Sequence, residues 1–352
     1  MSTPVPTDRP ITIEEIVTDV RERGDVAVAE WSQRFDKTTS AVPERAVAYG
    51  DIPTAAIVAA ADNVRKWHAA QRPADLVMEV SPGVTLERRW TPLRSVGIYV
   101  PKNLVSSLIM GAVPAQVAGV ERIVVCTPPS GAAAVAAAAA LLGINEVWAI
   151  GGAQAIAAMA YGTESIAPVD KIFGPGSGAV NAAKLLVSRD VAIDLPAGPS
   201  EIVVVADEGV DEALIQQEIA AQMEHGPDSR GFIVRVGDDL EAALEEIEGY
   251  AAEHVALIGA RAESLAPRIR NAGAVFVGPY APVPAGDYAT GANHVLPTGG
   301  WSKSTGGLGL EGFMKTVTIQ RVTQDGLQRL APTIEALAEL EGMTAHKATA
   351  RR

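Results

Sequence analysis

The chain has 352 residues, which on a scale of roughly 100–200 residues per domain implies two domains or three. Its formal net charge is −13, and 48% of its residues are hydrophobic. Such a composition suits a globular protein, and so acidic a surface argues against binding to nucleic acid or to an anionic membrane. The single cysteine, Cys126, lies in an apolar run. It excludes an internal disulfide and a thiolate cluster, and it fits a cytoplasmic setting. The first six residues show no basic segment followed by an apolar one, so they do not read as a signal peptide. The longest apolar stretch, 131–144, is shorter than the about 20 residues that a membrane span requires.

In chain order, residues 11–70 read as helical. Ile13, Ile16, Val17 and Val20, then Val28, Trp31 and Phe35, fall three and four apart, and a further helical stretch covers 53–71. A short strand at 95–100 follows, then a helix at 108–118, a strand at 122–126, a helix at 131–142, a strand at 146–150 and a helix at 153–161. The alternation resumes with strands at 170–173, 192–195 and 201–206 and helices at 178–187 and 211–224. It continues with a strand at 231–236, a helix at 239–249 and strands at 254–258 and 274–277, and it closes on a helix at 325–342. Strands alternating with helices predict an α/β fold with parallel sheets covered on both faces. The expected architecture is two Rossmann-like, incomplete parallel-sheet domains with N-terminal helices and a C-terminal helical arm. The expected divisions are 1–94, a helical region joining the second α/β unit; 95–196, the first α/β domain; 197–324, the second; and 325–352, the arm.

Histidine is scarce, with five in the chain, and four of them stand in polar stretches. Gln222 and His225 are three apart and share a helix face. An amide oxygen and an imidazole can both bind a divalent metal, or they simply end a helix before Gly226-Pro227. Glu253-His254 offers two proton acceptors whose unperturbed pKa values lie near 4.3 and 6.5, suited to two separate proton transfers, or it is a solvated pair at a helix-to-strand junction. Asp287, with His294 seven residues on, is a metal ligand in a loop or part of a Gly-Asp-Asn turn. Glu341 and His346 belong to the C-terminal tail. Gly307 to Gly312 matches GxGxxG in letters, but no strand precedes it and the dinucleotide fingerprint is not met. Gly151-Gly152-Ala153-Gln154 and Gly174-Pro175-Gly176-Ser177 are better placed. Each follows a strand and opens a helix, where backbone N–H groups can meet a phosphate.

Taken together, the runs from Gly151 to Leu186, from Ala197 to Glu201, from Gln222 to Ser229, from Gly286 to Thr298 and from Glu341 to His346 resemble histidinol dehydrogenases. So do Arg21 to Asp25 and Arg34-Phe35-Asp36, and the match covers most of residues 11–350. The resemblance implies zinc held by Gln222, His225, Asp287 and His346. It implies Glu253 activating a water, His254 as general base, and Ser200, His294 and Glu341 contacting the substrate alongside the zinc ligands. Tyr99, Gln154 and Ser177 fall on the side that takes NAD. The implied reaction is the four-electron oxidation of L-histidinol to L-histidine through a retained aldehyde. The implied partner is a second copy, in a homodimer whose tail carries His346 into the other subunit's site. Three departures from the family pattern stand out. The loop after Tyr99-Val100-Pro101 is short, with Lys102-Asn103-Leu104-Val105 in place of a Gly-Gly loop; Ser177 replaces the common Asn; and the segment 226–252 is shortened. The same zinc and Glu-His pair also suit a sister enzyme for another polar alcohol, and the altered loop suits a zinc protein that has lost NAD.

Overall fold

The computed structural model describes residues 11–40, 42–195 and 198–351. Helices α1 (Ile13–Arg23), α2 (Asp25–Phe35) and α3 (Thr54–Ala70) come first, followed by strands β1 (Leu76–Ser81), β2 (Val84–Pro92) and β3 (Ser95–Tyr99). Next are α4 (Val105–Ala118), β4 (Arg122–Thr127), α5 (Ala132–Leu141), β5 (Glu146–Ala149), α6 (Gly152–Tyr161), β6 (Lys171–Phe173), α7 (Gly178–Val187) and β7 (Ala192–Ile193). The chain continues through β8 (Glu201–Asp207), α8 (Glu212–Met223), β9 (Arg230–Val236), α9 (Leu240–Tyr250), β10 (His254–Ile258), α10 (Ala260–Ser264), β11 (Ala274–Val277) and α11 (Val283–Tyr288). It ends with β12 (Met314–Val322), α12 (Gln324–Leu340) and α13 (Thr344–Thr349).

The chain forms two compact units. One takes the residues up to Gln71 together with Leu93–Phe313; the other takes Arg72–Pro92 with Met314–Arg352. The first unit holds both expected parallel sheets, with strand orders β5-β4-β3-β6-β7 and β11-β10-β8-β9. The expected division at 196/197 lies outside the described residues. The second unit is a three-stranded antiparallel sheet, β1-β2-β12, with α12 and α13. This sheet was not anticipated. The helical expectation over 11–70 also gives way at 36–40 and 42–53, and the second of these non-helical stretches pairs with the edge of β5: Ala46 N–H donates to Val147 O and Ala149 N–H to Glu44 O.

Local chemistry sets the helix ends. Thr12 caps α1 through a reciprocal bond pair with Glu15, which satisfies two orphan N–H donors. Gly24, at φ 57°, turns the chain directly into α2, a conformation that glycine adopts without cost. The apolar stripes of α1 and α2 then join α6, α7, β4 and β6 in one core. The N-terminal pair therefore covers a face of the first sheet, not the second α/β unit as expected, because Ile16, Val17, Val20 and Val28 match the Ala-rich face of α6.

Along β8 the run Ile202 to Ala206 is wholly buried. Alternation sends Val203 and Val205 to a core with α9 and α10, and Ile202, Val204 and Ala206 to a core with α8 and α11. Both faces are covered, which is why the strand reads as an unbroken apolar run.

In the first sheet β3 is followed by β4 and β5 on one side, while β6 and β7 lie on the other. The order reverses between β3 and β6, and in open α/β sheets ligands bind beyond the carboxyl ends of the strands at such a point. Gly174 lies there at φ +114°, and a Cβ on it would sit 2.1 Å from Tyr99 O. Gly174→Ala should lower the thermal midpoint by roughly 5 °C or more. Gly143→Ala, at φ +74° with open space around it, should cost only about 2 °C. Thermal unfolding followed by circular dichroism compares the two, and equal losses would refute the close approach as the cause.

Candidate active site

A helix between parallel strands must run back against them. The end of α8 therefore arrives at the amino edge of the second sheet, where β8 and β10 begin. Register places Ile202 opposite His254, so Glu201 and Glu253 stand side by side just before them. Glu253 Oε2 accepts from Glu201 N–H at 3.0 Å, and the Ser200 hydroxyl bonds the same carboxyl group. Glu201 spends its own carboxylate on Gly299 N–H. α11 packs over β11, with Gly286 against Phe276, and delivers Asp287 to the same edge. His294 follows, its Nδ1 3.1 Å from Asp287 O. Asn293 ties this strip down: its amide donates to Met110 O at 2.8 Å and lies 3.4 Å from Nε2 of the buried His68.

The cluster is dry. His254 is 2% exposed, Glu253 7%, Asp287 7% and Gln222 1%. Burial pushes the Glu253 carboxyl up to about 8 and the His254 imidazole down to about 3, with nearby His225 adding to the fall. His294 is lowered to about 4, again chiefly by desolvation. Asp287 is raised by burial while His225 pulls the other way. Each shift disfavours the charged form, with burial its leading cause. His254 Nδ1 stands 3.7 Å from Glu253 Oε2.

The donor set suits a divalent cation. Both polar atoms of the Gln222 side chain and both ring nitrogens of His254 are buried without a hydrogen-bond partner, an arrangement that costs free energy unless a ligand completes it. His225 keeps Nδ1 3.3 Å from Gln222 O, so Nε2 is free to ligate. Amide oxygen, imidazole and carboxylate are ligands for zinc or a similar ion. Among the described residues no three His, Cys, Asp or Glu side chains are gathered in a metal-ligating group. Glu341, at the end of α12, and His346, in α13, belong to the second unit.

On the first sheet, Tyr99 ends β3, and its hydroxyl, raised to about 12 by burial, accepts from Gly152 N–H at 3.2 Å. Gln154 is buried and donates to Asp36 Oδ2, which also accepts from Gly151 N–H. The Gly151-Gly152 turn expected to meet a phosphate is thus filled by the protein's own carboxylate. The second expected cradle differs. Ser177 is exposed and begins α7 without a side-chain cap bond. The turn before it is braced from beneath by Asp194, which accepts from Gly174 N–H, and by its buried ion-pair partner Lys184. The short loop after β3 is a tight turn with Asn103 at φ 62°, and Lys102 is exposed.

Sequence reasoning passed over Glu201, Asp36 and Asn293 as site-forming groups. Asp36 and Glu201 lay inside recognised motifs, but each is linked through a main-chain N–H group, of Gly151, of Gly299 or of Glu201 itself, which leaves no spacing pattern.

A reversal of strand order in one parallel sheet and a buried carboxyl–imidazole pair on the next define the class: an α/β enzyme equipped for acid–base chemistry. The family model for histidinol dehydrogenase matches residues 7–240 and 231–352. Curated histidinol dehydrogenases from Photobacterium profundum and Aliivibrio fischeri are each 39% identical over 385 residues, covering 95% of this chain and 87% and 88% of theirs. A crystal structure of histidinol dehydrogenase from Elizabethkingia anophelis is similar with a TM-score of 0.89 and 33% identity, over 98% of this chain and 93% of that one. The chain belongs to the histidinol dehydrogenase family. The two matched stretches meet at 231–240, within the shortened segment between His225 and Glu253.

The two central shifts act on stability with opposite signs. Glu253, raised from 4.5 to about 8, holds its proton in the folded state where the unfolded chain has released it. Its stabilisation is complete below pH 4.5 and is lost as pH rises through 8. His254, lowered from 6.5 to about 3, costs stability as pH falls below 6.5, and the two slopes cancel between 4.5 and 6.5. Above 6.5 Glu253 acts alone. Metal-free protein should lose about 2 kcal/mol between pH 6.5 and 8, and Glu253→Gln should be flat over that range. Chemical unfolding at each pH tests this, and parallel curves would exclude a protonated Glu253.

Proposed function

We propose that this protein oxidises L-histidinol to L-histidine, the closing chemistry of histidine biosynthesis, with NAD as hydride acceptor and one zinc ion per subunit. The observation that carries the proposal is the convergence of the buried Glu253, His254, Gln222 and Asp287 with the half-buried Ser200 and His294 and the exposed His225 at one sheet edge, in a chain of this family. In sum, the alcohol, one water and two NAD give the carboxylate, two NADH and the released protons.

Gln222, His225 and Asp287 would hold the metal, joined by His346. Bound there, zinc supplies a Lewis-acidic anchor for the amine and imidazole of histidinol and a positive charge that favours ionised Asp287 and Glu253. Tyr99 and Ser177 are the residues that would line the place of NAD at the switch point, and NAD would supply the hydride acceptor. His254, neutral because it is buried, has a lone pair for the hydroxyl proton as the carbon gives up hydride. Glu253, pinned by Glu201 N–H and Ser200, takes a proton from the water that adds to the aldehyde. Its fixed position confines that water to one face of the carbonyl, and the buried setting keeps the aldehyde from bulk solvent. Ser200, His294 and Glu341 bind the substrate's polar groups.

The working unit is a homodimer in which each site borrows Glu341 and His346 from the other chain. Exposed apolar residues in the second unit support self-association: Leu76, Val77, Met78 and Val80 on β1, with Leu340 and Met343 near the tail.

Mixing zinc-loaded protein with L-histidinol and NAD should yield two NADH per histidinol, followed by absorbance. Glu253→Gln should slow turnover at least about 100-fold. A protein that binds zinc yet makes no NADH would overturn the assignment of substrate. Co-expressed Glu253→Gln and His346→Ala chains, each inactive alone, should recover about a quarter of wild-type activity. Half the dimers are then mixed, and each mixed dimer has one intact shared site. No recovery would mean that both residues serve one chain's own site.

A further inference from the structure

α8 carries Gln222, with His225 in the turn just past its end, and α11 carries Asp287. Both helices run from the carboxyl side of the second sheet toward its amino edge, so they lie parallel over the core of Ile202, Val204, Ile215 and Ala256. One turn before Gln222 on α8 is Glu218; one turn before Asp287 on α11 is Val283. These two are joined. Glu218 Oε2 accepts from Val283 N–H at 3.1 Å in a buried contact, and Glu218 itself is only 8% exposed. The bond therefore lies one turn above the level at which Gln222 and Asp287 face the site.

We propose that Glu218 is a positioning residue whose bond to the first N–H of α11 sets the spacing between the two ligand-bearing helices and so the affinity of the site for its metal. The inference rests on the assignment of Gln222, His225 and Asp287 as metal ligands. The α11 helix has six residues and too few hydrogen bonds of its own to hold Asp287 rigidly. A cross-strut from the neighbouring helix fixes its first turn, and the ligand follows one turn later. Groups behind the ligands commonly tune metal affinity about 10–100-fold.

The test uses the full chain, stripped of metal, titrated with zinc against a chromophoric chelator and with cobalt followed by its visible absorption. Glu218→Gln keeps an acceptor oxygen at the same reach and should bind zinc within about threefold of wild type. Glu218→Leu removes the acceptor and should weaken zinc about 10–100-fold, with an altered cobalt spectrum. Val283→Pro removes the donor at a helix position that tolerates proline and should reproduce the loss with Glu218 intact, so the proposal stays testable if the leucine variant does not fold. Ile247→Ala, in the core on the other face of the sheet, should lower the melting midpoint and leave zinc affinity unchanged. Wild-type affinity in Glu218→Leu or Val283→Pro would overturn the strut, as would equal losses in Glu218→Gln or Ile247→Ala. Failure of the wild-type chain to bind zinc or cobalt would instead overturn the ligand assignment, and this inference with it.

Discussion

The geometry of the site follows from one constraint on connectivity. Parallel strands oblige the chain to return by a helix between them, so helix C-termini and strand starts are delivered to the same edge. In the second sheet that edge receives the end of α8, the starts of β8 and β10, and, through α11, Asp287. Residues from 200 to 294 become neighbours without a long excursion of chain. The first sheet offers the opposite edge of its strands, at the β3–β6 reversal. One α/β principle thus serves two purposes, with carboxyl ends in one sheet and amino ends in the other.

The electrostatics follow from how dry that edge is. A carboxyl group raised to about 8, an imidazole lowered to about 3 and a carboxylate partner also raised share one cause, desolvation without compensating positive charge. The unpartnered Gln222 amide and His254 ring record the same deficit in hydrogen bonds. Such groups are retained at a cost in stability, and they are the pattern expected where function has set the residue types.

The α/β alternation from residue 95 onward was legible because both parallel sheets are buried on two faces, and their strands read as apolar runs between helical stretches. β1, β2 and β12 were not. Arg88 and Arg89 interrupt the alternation of β2, and its partner β12 lies more than two hundred residues away, beyond any local pattern. Gln222 and His225 were visible as a helical pair and Glu253-His254 as adjacent acceptors, although neither spacing separated chemistry from a polar helix end. What could not be read were the contacts that hold them. Glu218 acts through the Val283 N–H, Glu201 through its own backbone N–H, and Asp36 in part through Gly151 N–H, so at least one end of each link is main chain and carries no residue-type signal. The filled Gly151-Gly152 turn shows the converse: glycines at a strand-to-helix junction mark a place for an anion but not whose anion it is.

That filled turn gives the first sheet a handedness of occupancy. With the Asp36 carboxylate on Gly151 N–H and the Gln154 amide, the start of α6 meets an arriving anion with negative charge, while the start of α7 stays open to it. Two helix termini that are near equivalents in sequence are thereby made inequivalent in electrostatic potential. The inequivalence comes from a side chain that lies outside both turns, so a substitution at Asp36 would change the anion environment of α6 and leave that of α7 as it is.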